Sequence, residues 1–408
     1  MKWPQSPLKA KNLDQEQLKQ FLAIRADYEK CAFVTEGHLE VRALGPKEFA
    51  KPIPPGESAI TALAVADDGW VYGATSGTRA HLFFYNPSPD ADAVADIGVV
   101  AENATIPTLE FRADHTLVGV ANTNGQAQFF TYKSCAVLLA EKDFTGLGVR
   151  EIFDFPAEDQ LFFSTIDPCH SAGQIDLLGD PLPFPVADFK LIDDGHEAVA
   201  IDETSGDLVR LSLVTGQLRR LGRLDPNGNF SPRLTTDQQG RIYGAGLYGR
   251  LFRYDPCAGI LEPLEATAPS LRGHQLYNRV TAWLPENASG VIYGGTIDGI
   301  LFRYLPAENR LVCLGKPTAE TNVCALARAG HRVYAILGLP DDCAHLACYD
   351  EETGELRDLG CLLARSERPW NGYSFAAMAT GRHGVLFMGE NDRISQLFLF
   401  FPPVPDTE

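Results

Sequence analysis

The segment Gly273-His274-Gln275-Leu276-Tyr277-Asn278-Arg279 gathers an imidazole, a phenol and a guanidinium within seven residues. Those three groups suit β-elimination beside a carboxylate. One abstracts the proton next to the carboxylate, one protonates the leaving oxygen, and the cation neutralises the carboxylate. His274, Tyr277 and Arg279 are therefore the catalytic candidates if the chain is an enzyme. Arg79, His81, His170, Arg233, Tyr248, Arg250, His345, Trp370 and Tyr373 are the ligand-binding candidates. Trp370 and Tyr373 have the flat faces needed to stack on a sugar ring or cap an apolar pocket.

These residues are far apart in sequence, so a repeat must bring them together. Three segments share one pattern. Gly69-Trp70-Val71-Tyr72-Gly73 is followed by Leu82-Phe83-Phe84-Tyr85, Gly240-Arg241-Ile242-Tyr243-Gly244 by Leu251-Phe252-Arg253-Tyr254, and Gly290-Val291-Ile292-Tyr293-Gly294 by Leu301-Phe302-Arg303-Tyr304. Each half is a β-branched or aromatic run bounded by Gly, Asp, Asn or Pro, which reads as two strands and a hairpin. Second-strand centres fall at Tyr72, Val118, Phe162, Val199, Tyr243, Tyr293, Tyr334 and Phe387. Their spacing, about 45 residues, is that of a four-stranded propeller blade.

The pattern predicts an all-β fold, a single β-propeller of about eight four-stranded blades, with seven possible because the unit around Val199 is short and polar. Strands such as Ile60–Val65, Val280–Leu284, Val323–Ala327 and Ser374–Met378 alternate small and apolar residues, as suits the crowded central axis. The last blade supplies only three strands before Pro402 and Pro403. An open edge there invites aggregation, so one strand of a hairpin over residues 31–44 is expected to complete it. The expected organisation is residues 1–30 as an extension with an amphipathic helix over Asp14–Ala26, 31–402 as the propeller with blades from about 60, and 403–408 as a tail.

In such a ring the loops joining second and third strands share one face with the loops between blades. That places the candidates at one mouth of the central channel. The same mouth collects polar side chains in any propeller, and Tyr72, Tyr243, Tyr293, Tyr334, Arg253 and Arg303 recur as blade-packing residues. The primary reading is accordingly a non-catalytic binding scaffold for a protein partner or an acidic oligosaccharide.

Composition narrows the field. The chain has 408 residues with 53 acids against 35 bases and a formal charge of −18. Nucleic acid and anionic membranes want a basic footprint, so neither is an expected partner. No apolar run is long enough for a membrane helix, and the first residues carry no secretory leader pattern, which predicts a cytoplasmic protein or a secreted one whose leader has been removed. Nine cysteines lie at irregular spacing without a Cys-x-x-Cys pair, so no metal site and no cofactor is predicted. A Cys343–Cys348 disulfide is left open.

The phrase Ile-Tyr-Gly-Gly-Thr at 292–296, followed by Leu-Phe-Arg-Tyr at 301–304, resembles the blade signature of bacterial propellers of the YVTN and polysaccharide-lyase type, the ulvan-lyase-like propellers in particular. The resemblance runs over roughly residues 60–400 and is strongest over 235–316. It implies the propeller fold and, as an alternative function, a polysaccharide or oligosaccharide lyase acting on uronate-containing glycans by β-elimination.

Overall fold

The computed structural model describes residues 34–44, 53–87, 94–133, 151–154, 161–164, 173–225, 230–271, 278–340, 343–364 and 370–403. Within them the repeat folds as antiparallel blades. Blade five is representative: Val280–Leu284, Ile292–Thr296, Leu301–Leu305 and Arg310–Gly315 pair in chain order. The Gly of each Tyr-Gly strand has a steric reason. A Cβ on Gly294 would lie 2.2 Å from the Phe302 ring across the hairpin, and Gly73–Phe83, Gly119–Phe130 and Gly244–Phe252 repeat the arrangement. The ring fills the space a side chain would occupy, which is what lets large aromatics stack inside a thin blade.

Seven blades are present among the described residues. Blades three to six are Val186–Arg223, Thr235–Thr267, Val280–Gly315 and Val323–Cys361, each one four-stranded sheet. Blades one and two are joined in one larger sheet by the pairs Ala104–Thr123 and Thr105–Asn122. In blade one, Val71–Tyr85 supplies both the second and third strands: its first half pairs with Ala59–Val65, and its second half with Ala95–Thr105. In blade two the strands are Leu109–Phe111, Leu117–Thr123, Gln126–Lys133 and Gln174–Leu182. Among the described residues the unit expected around Phe162 is therefore not a blade. There Glu151–Asp154 and Leu161–Ser164 pair only with each other, between the third and fourth strands of blade two.

Blade seven is Phe375–Thr380, Leu386–Glu390 and Gln396–Phe401, and His38–Ala43 completes it, in register from His38–Phe401 to Ala43–Gln396. The ring is thus closed by an early strand, as the sequence predicts. The proposed helix over Asp14–Ala26 lies outside the described residues.

The core sits between blades rather than within one layer. Each hydrophobic cluster joins two neighbours. Tyr243, Ala245 and Leu251 of blade four pack with Ile292, Phe302 and Tyr304 of blade five. Phe83 and Tyr85 of blade one pack with Phe387 and Leu399 of blade seven. Seven such clusters, one at every junction, carry the apolar contact around the ring. Each fully buried Phe or Leu contributes about 1.5–3 kcal/mol.

Candidate functional site

The inter-blade mouth is fixed by how first strands begin. A bulge lies near the strand start at Ile60/Ala62, Val280/Ala282, Val323/Ala325 and Phe375/Ala377. The bulged Thr61 donates its hydroxyl to the Ile106 carbonyl at 2.7 Å, and the equivalent Thr281 donates to Val323 at 2.8 Å. Each bond stitches a blade to the next, so the residues just before the first strands are carried on rigid supports.

Polar side chains link the first-strand regions of blades two to four. Arg233 Nη1 donates to the Pro107 carbonyl at 2.9 Å. Lys190 is ion-paired with Glu110 from the neighbouring first strand. Burial pulls the Lys190 pKa down, but Glu110 and Asp188 outweigh it and hold the ammonium above its ordinary range. Asp188 is itself buried and accepts the Leu234 amide at 2.8 Å. A cavity of about 440 Å³ lies where the first strands of blades one, two and seven end, lined by Leu63, Val65, Leu109, Glu110, Phe111 and Thr380.

Arg279 stands immediately before the first strand of blade five. The Ile297 amide donates to its carbonyl at 2.9 Å, and the next residue, Val280, donates its amide to Ser231 Oγ at 2.8 Å. The latter bond couples the loop of Arg279 to that of Arg233. The Arg279 Nε is buried and has no hydrogen-bond partner among the described residues. Burial lowers the guanidinium pKa, partly offset by the Glu203 charge. Beside it, the Asn278 side-chain amide donates to the Tyr248 carbonyl. Tyr248 is an exposed ring at φ +57°. His274, Tyr277 and His170 lie outside the described residues.

The remaining candidates are held by partners within the protein. Arg79 grips Glu57 at 3.0 Å and drives its carboxyl pKa down to about 2, with His81 and Thr78 adding to the effect. His81 is buried with both nitrogens engaged, Nε2 on Glu57 at 3.1 Å and Nδ1 on Asp96 at 3.1 Å. Desolvation alone would lower its pKa, but the two carboxylates raise it, which favours the charged ring. Arg250 Nε donates to the Leu264 carbonyl at 2.7 Å. Trp370 Nε1 donates to the buried Glu390 at 2.9 Å. Burial pushes the Glu390 pKa up to about 8. Tyr373 is exposed and accepts a long 3.5 Å bond from Asn371. His345 sits between Asp358, on Nδ1 at 3.0 Å, and Cys361 Sγ, on Nε2 at 3.4 Å.

A second repeat explains these pairings. In the fourth strands an extra residue, Ile97, Leu221, Leu314 or Leu359, bulges just before a glycine. Gly98 and Gly360 have φ of +142° and +109°, open to glycine and strained for other residues. The bulge turns the residue before it toward the start of the third strand. Asp96 thereby meets His81, and Asp358 meets His345. In blade three the polarity is reversed, with Arg220 and Arg223 on Asp207. The triplets Asp96-Ile97-Gly98 and Asp358-Leu359-Gly360 were the sequence signal for this clip.

Among the described residues no group of three His, Cys, Asp or Glu side chains could hold a metal ion, and no helix is long and apolar enough to cross a membrane. No protein-family model matches the chain, and no curated protein matches it. Solved structures do. A catalytically inactive histidine-to-alanine variant of virginiamycin B lyase from Staphylococcus aureus, with quinupristin, aligns over 90% of this chain and 100% of that one, with a TM-score of 0.60 and 9% identity. The extracellular domain of the one-component system BT4673 from B. thetaiotaomicron aligns over 89% of this chain and 40% of that one, with a TM-score of 0.56 and 14% identity. At these identities the likeness is one of fold, and the chain is a β-propeller.

Proposed function

We propose that the chain is a ligand-binding propeller whose inter-blade mouth takes a carboxylate-bearing ligand, with Arg279 as the anchoring cation. One observation carries the reading. In a chain with a formal charge of −18, carboxylates are plentiful, and Arg79, Arg220, Arg241, Arg328, Arg332 and Arg357 are each matched to one. Arg279 is partly buried, and neither a hydrogen bond nor an ion pair ties its guanidinium to another described residue. A desolvated guanidinium without a mate is costly unless something supplies the anion. A planar carboxylate offers the two-point contact a guanidinium favours. Arg233 on the coupled loop and the exposed ring of Tyr248 extend the same surface.

The test is calorimetric titration of the wild type and Arg279→Ala with oligogalacturonate, alongside the ultraviolet absorbance of an unsaturated uronate. Binding by the wild type, weakened at least about tenfold in the variant, without absorbance growth, supports the proposal. Absorbance growth lost in Arg279→Ala would move the site to the lyase class. Absence of binding, or equal binding by both proteins, rejects Arg279 as an anchor for uronates.

A further inference from the structure

Blade six carries a second constellation, away from Arg279. His345 opens the third strand, and Cys361 closes the fourth directly opposite it in register. The Leu359 bulge brings Asp358 to the same imidazole. The chain of contacts runs Asp358 Oδ2 to His345 Nδ1 at 3.0 Å, then His345 Nε2 to Cys361 Sγ at 3.4 Å. A nucleophile bonded to a base that a third group orients is the arrangement that activates a cysteine. Blade one supplies the control. There His81 has the same place and the same aspartate, but its Nε2 is taken by Glu57, and Val99 stands where blade six has Cys361. The clip is therefore a blade device, and the sulfur is what blade six adds to it.

We propose that Cys361 is a nucleophilic cysteine that reacts with hydroperoxides, with His345 as its proton donor and Asp358 as the residue that positions and charges the imidazole. Asp358 first, then Cys361, raise the His345 pKa to about 10, so the ring is an imidazolium at neutral pH and holds a proton beside the sulfur. Two other thiols differ. Burial pushes Cys324 up to about 12 and Cys348 up to about 11, which leaves them as inert protonated groups. Cys361 and His345 are only half-buried, so a small electrophile reaches the sulfur.

The amides flanking the sulfur point to peroxide rather than acyl chemistry. Gly360 donates to Asp358 Oδ1 at 2.9 Å, and Leu362 donates to the Ala344 carbonyl at 2.8 Å. Neither is free to stabilise the oxyanion that acyl transfer develops. Peroxide cleavage asks only for a thiolate and a proton for the departing oxygen. The Cys361 thiolate attacks the terminal oxygen of the hydroperoxide. An S–O bond forms as the O–O bond breaks, the sulfur is oxidised by two electrons, and the peroxide is reduced. The departing alkoxide or hydroxide takes its proton from His345, leaving neutral imidazole, an alcohol or water, and Cys361 as the sulfenic acid.

The full chain treated with hydrogen peroxide in the presence of dimedone tests this, with sulfenic-acid labelling read at each cysteine by mass spectrometry. The exposed Cys257 and Cys313 are internal references. Cys361 should label about tenfold faster than either. His345→Gln should slow Cys361 about tenfold and leave Cys257 unchanged, and Asp358→Asn should slow it in the same direction. Equal rates at the three cysteines of the wild type overturn the proposal, and so does an unchanged Cys361 rate in His345→Gln. The wild-type comparison decides the matter by itself if a variant fails to fold.

Discussion

His81 and His345 are one residue of the repeat seen in two blades. Each lies in a third strand, and each meets the aspartate that precedes a fourth-strand bulge. Their outer nitrogens diverge: His81 closes on buried Glu57, whereas His345 faces Cys361.

Removing the first ring leaves two carboxylates facing each other. His81→Phe should cost about 3–5 kcal/mol, the penalty for breaking a buried pair from one side. The His81 pKa is raised in the folded state, so its contribution is complete below the ordinary histidine range and fades as pH rises through the higher folded value. Chemical denaturation of both proteins at acidic and alkaline pH reads this. The gap should be widest at the acidic end, and a constant gap would contradict the assignment.

Gly294→Ala places a methyl against the Phe302 ring. Overpacking of that kind costs about 1–3 kcal/mol. Phe302→Leu destabilises on its own, but the double variant should lose less than the sum of the two, as neighbours that share one space do. A double-mutant cycle by urea denaturation measures the coupling.

Glu390 gives a pH signature of opposite origin to ordinary acid denaturation. Its pKa rises from 4.5 to about 8 through burial. The folded state then holds a proton that the unfolded chain has released, so stability falls as pH climbs between those two values. Glu390→Gln cannot ionise and should flatten that part of the curve while keeping an acceptor for Trp370. Superimposable pH profiles for wild type and variant would refute it.

Leu39 is buried against Phe398 and Phe400 in the junction of blades six and seven. Leu39→Ala should cost about 2–5 kcal/mol, visible as a lower thermal midpoint. A chain lacking residues 34–44 should expose the edge of Gln396–Phe401 and aggregate, measurable by light scattering.

Much of this was legible in the sequence because blade packing is local. The Tyr-Gly strand and its Leu-Phe partner are a few residues apart, and the gap between glycine and ring is written into both. The strand that closes the ring was legible from a shortage, three strands where four are needed. Phe162 misleads for a physical reason: a β-rich hairpin reads alike whether it pairs outward as a blade or only with itself. The pairs at His81 and His345 were hidden because regular strands put residues three apart, such as Asp358 and Cys361, on opposite faces. Only the bulge at Leu359 brings both to one imidazole.

The clasp between His38–Ala43 and Gln396–Phe401 bears on synthesis. The ribosome releases the first of these strands long before the second, so the clasp cannot form until every intervening blade has been translated. Until then the early strand is an unpaired β segment that a chaperone, or another nascent copy, is free to capture.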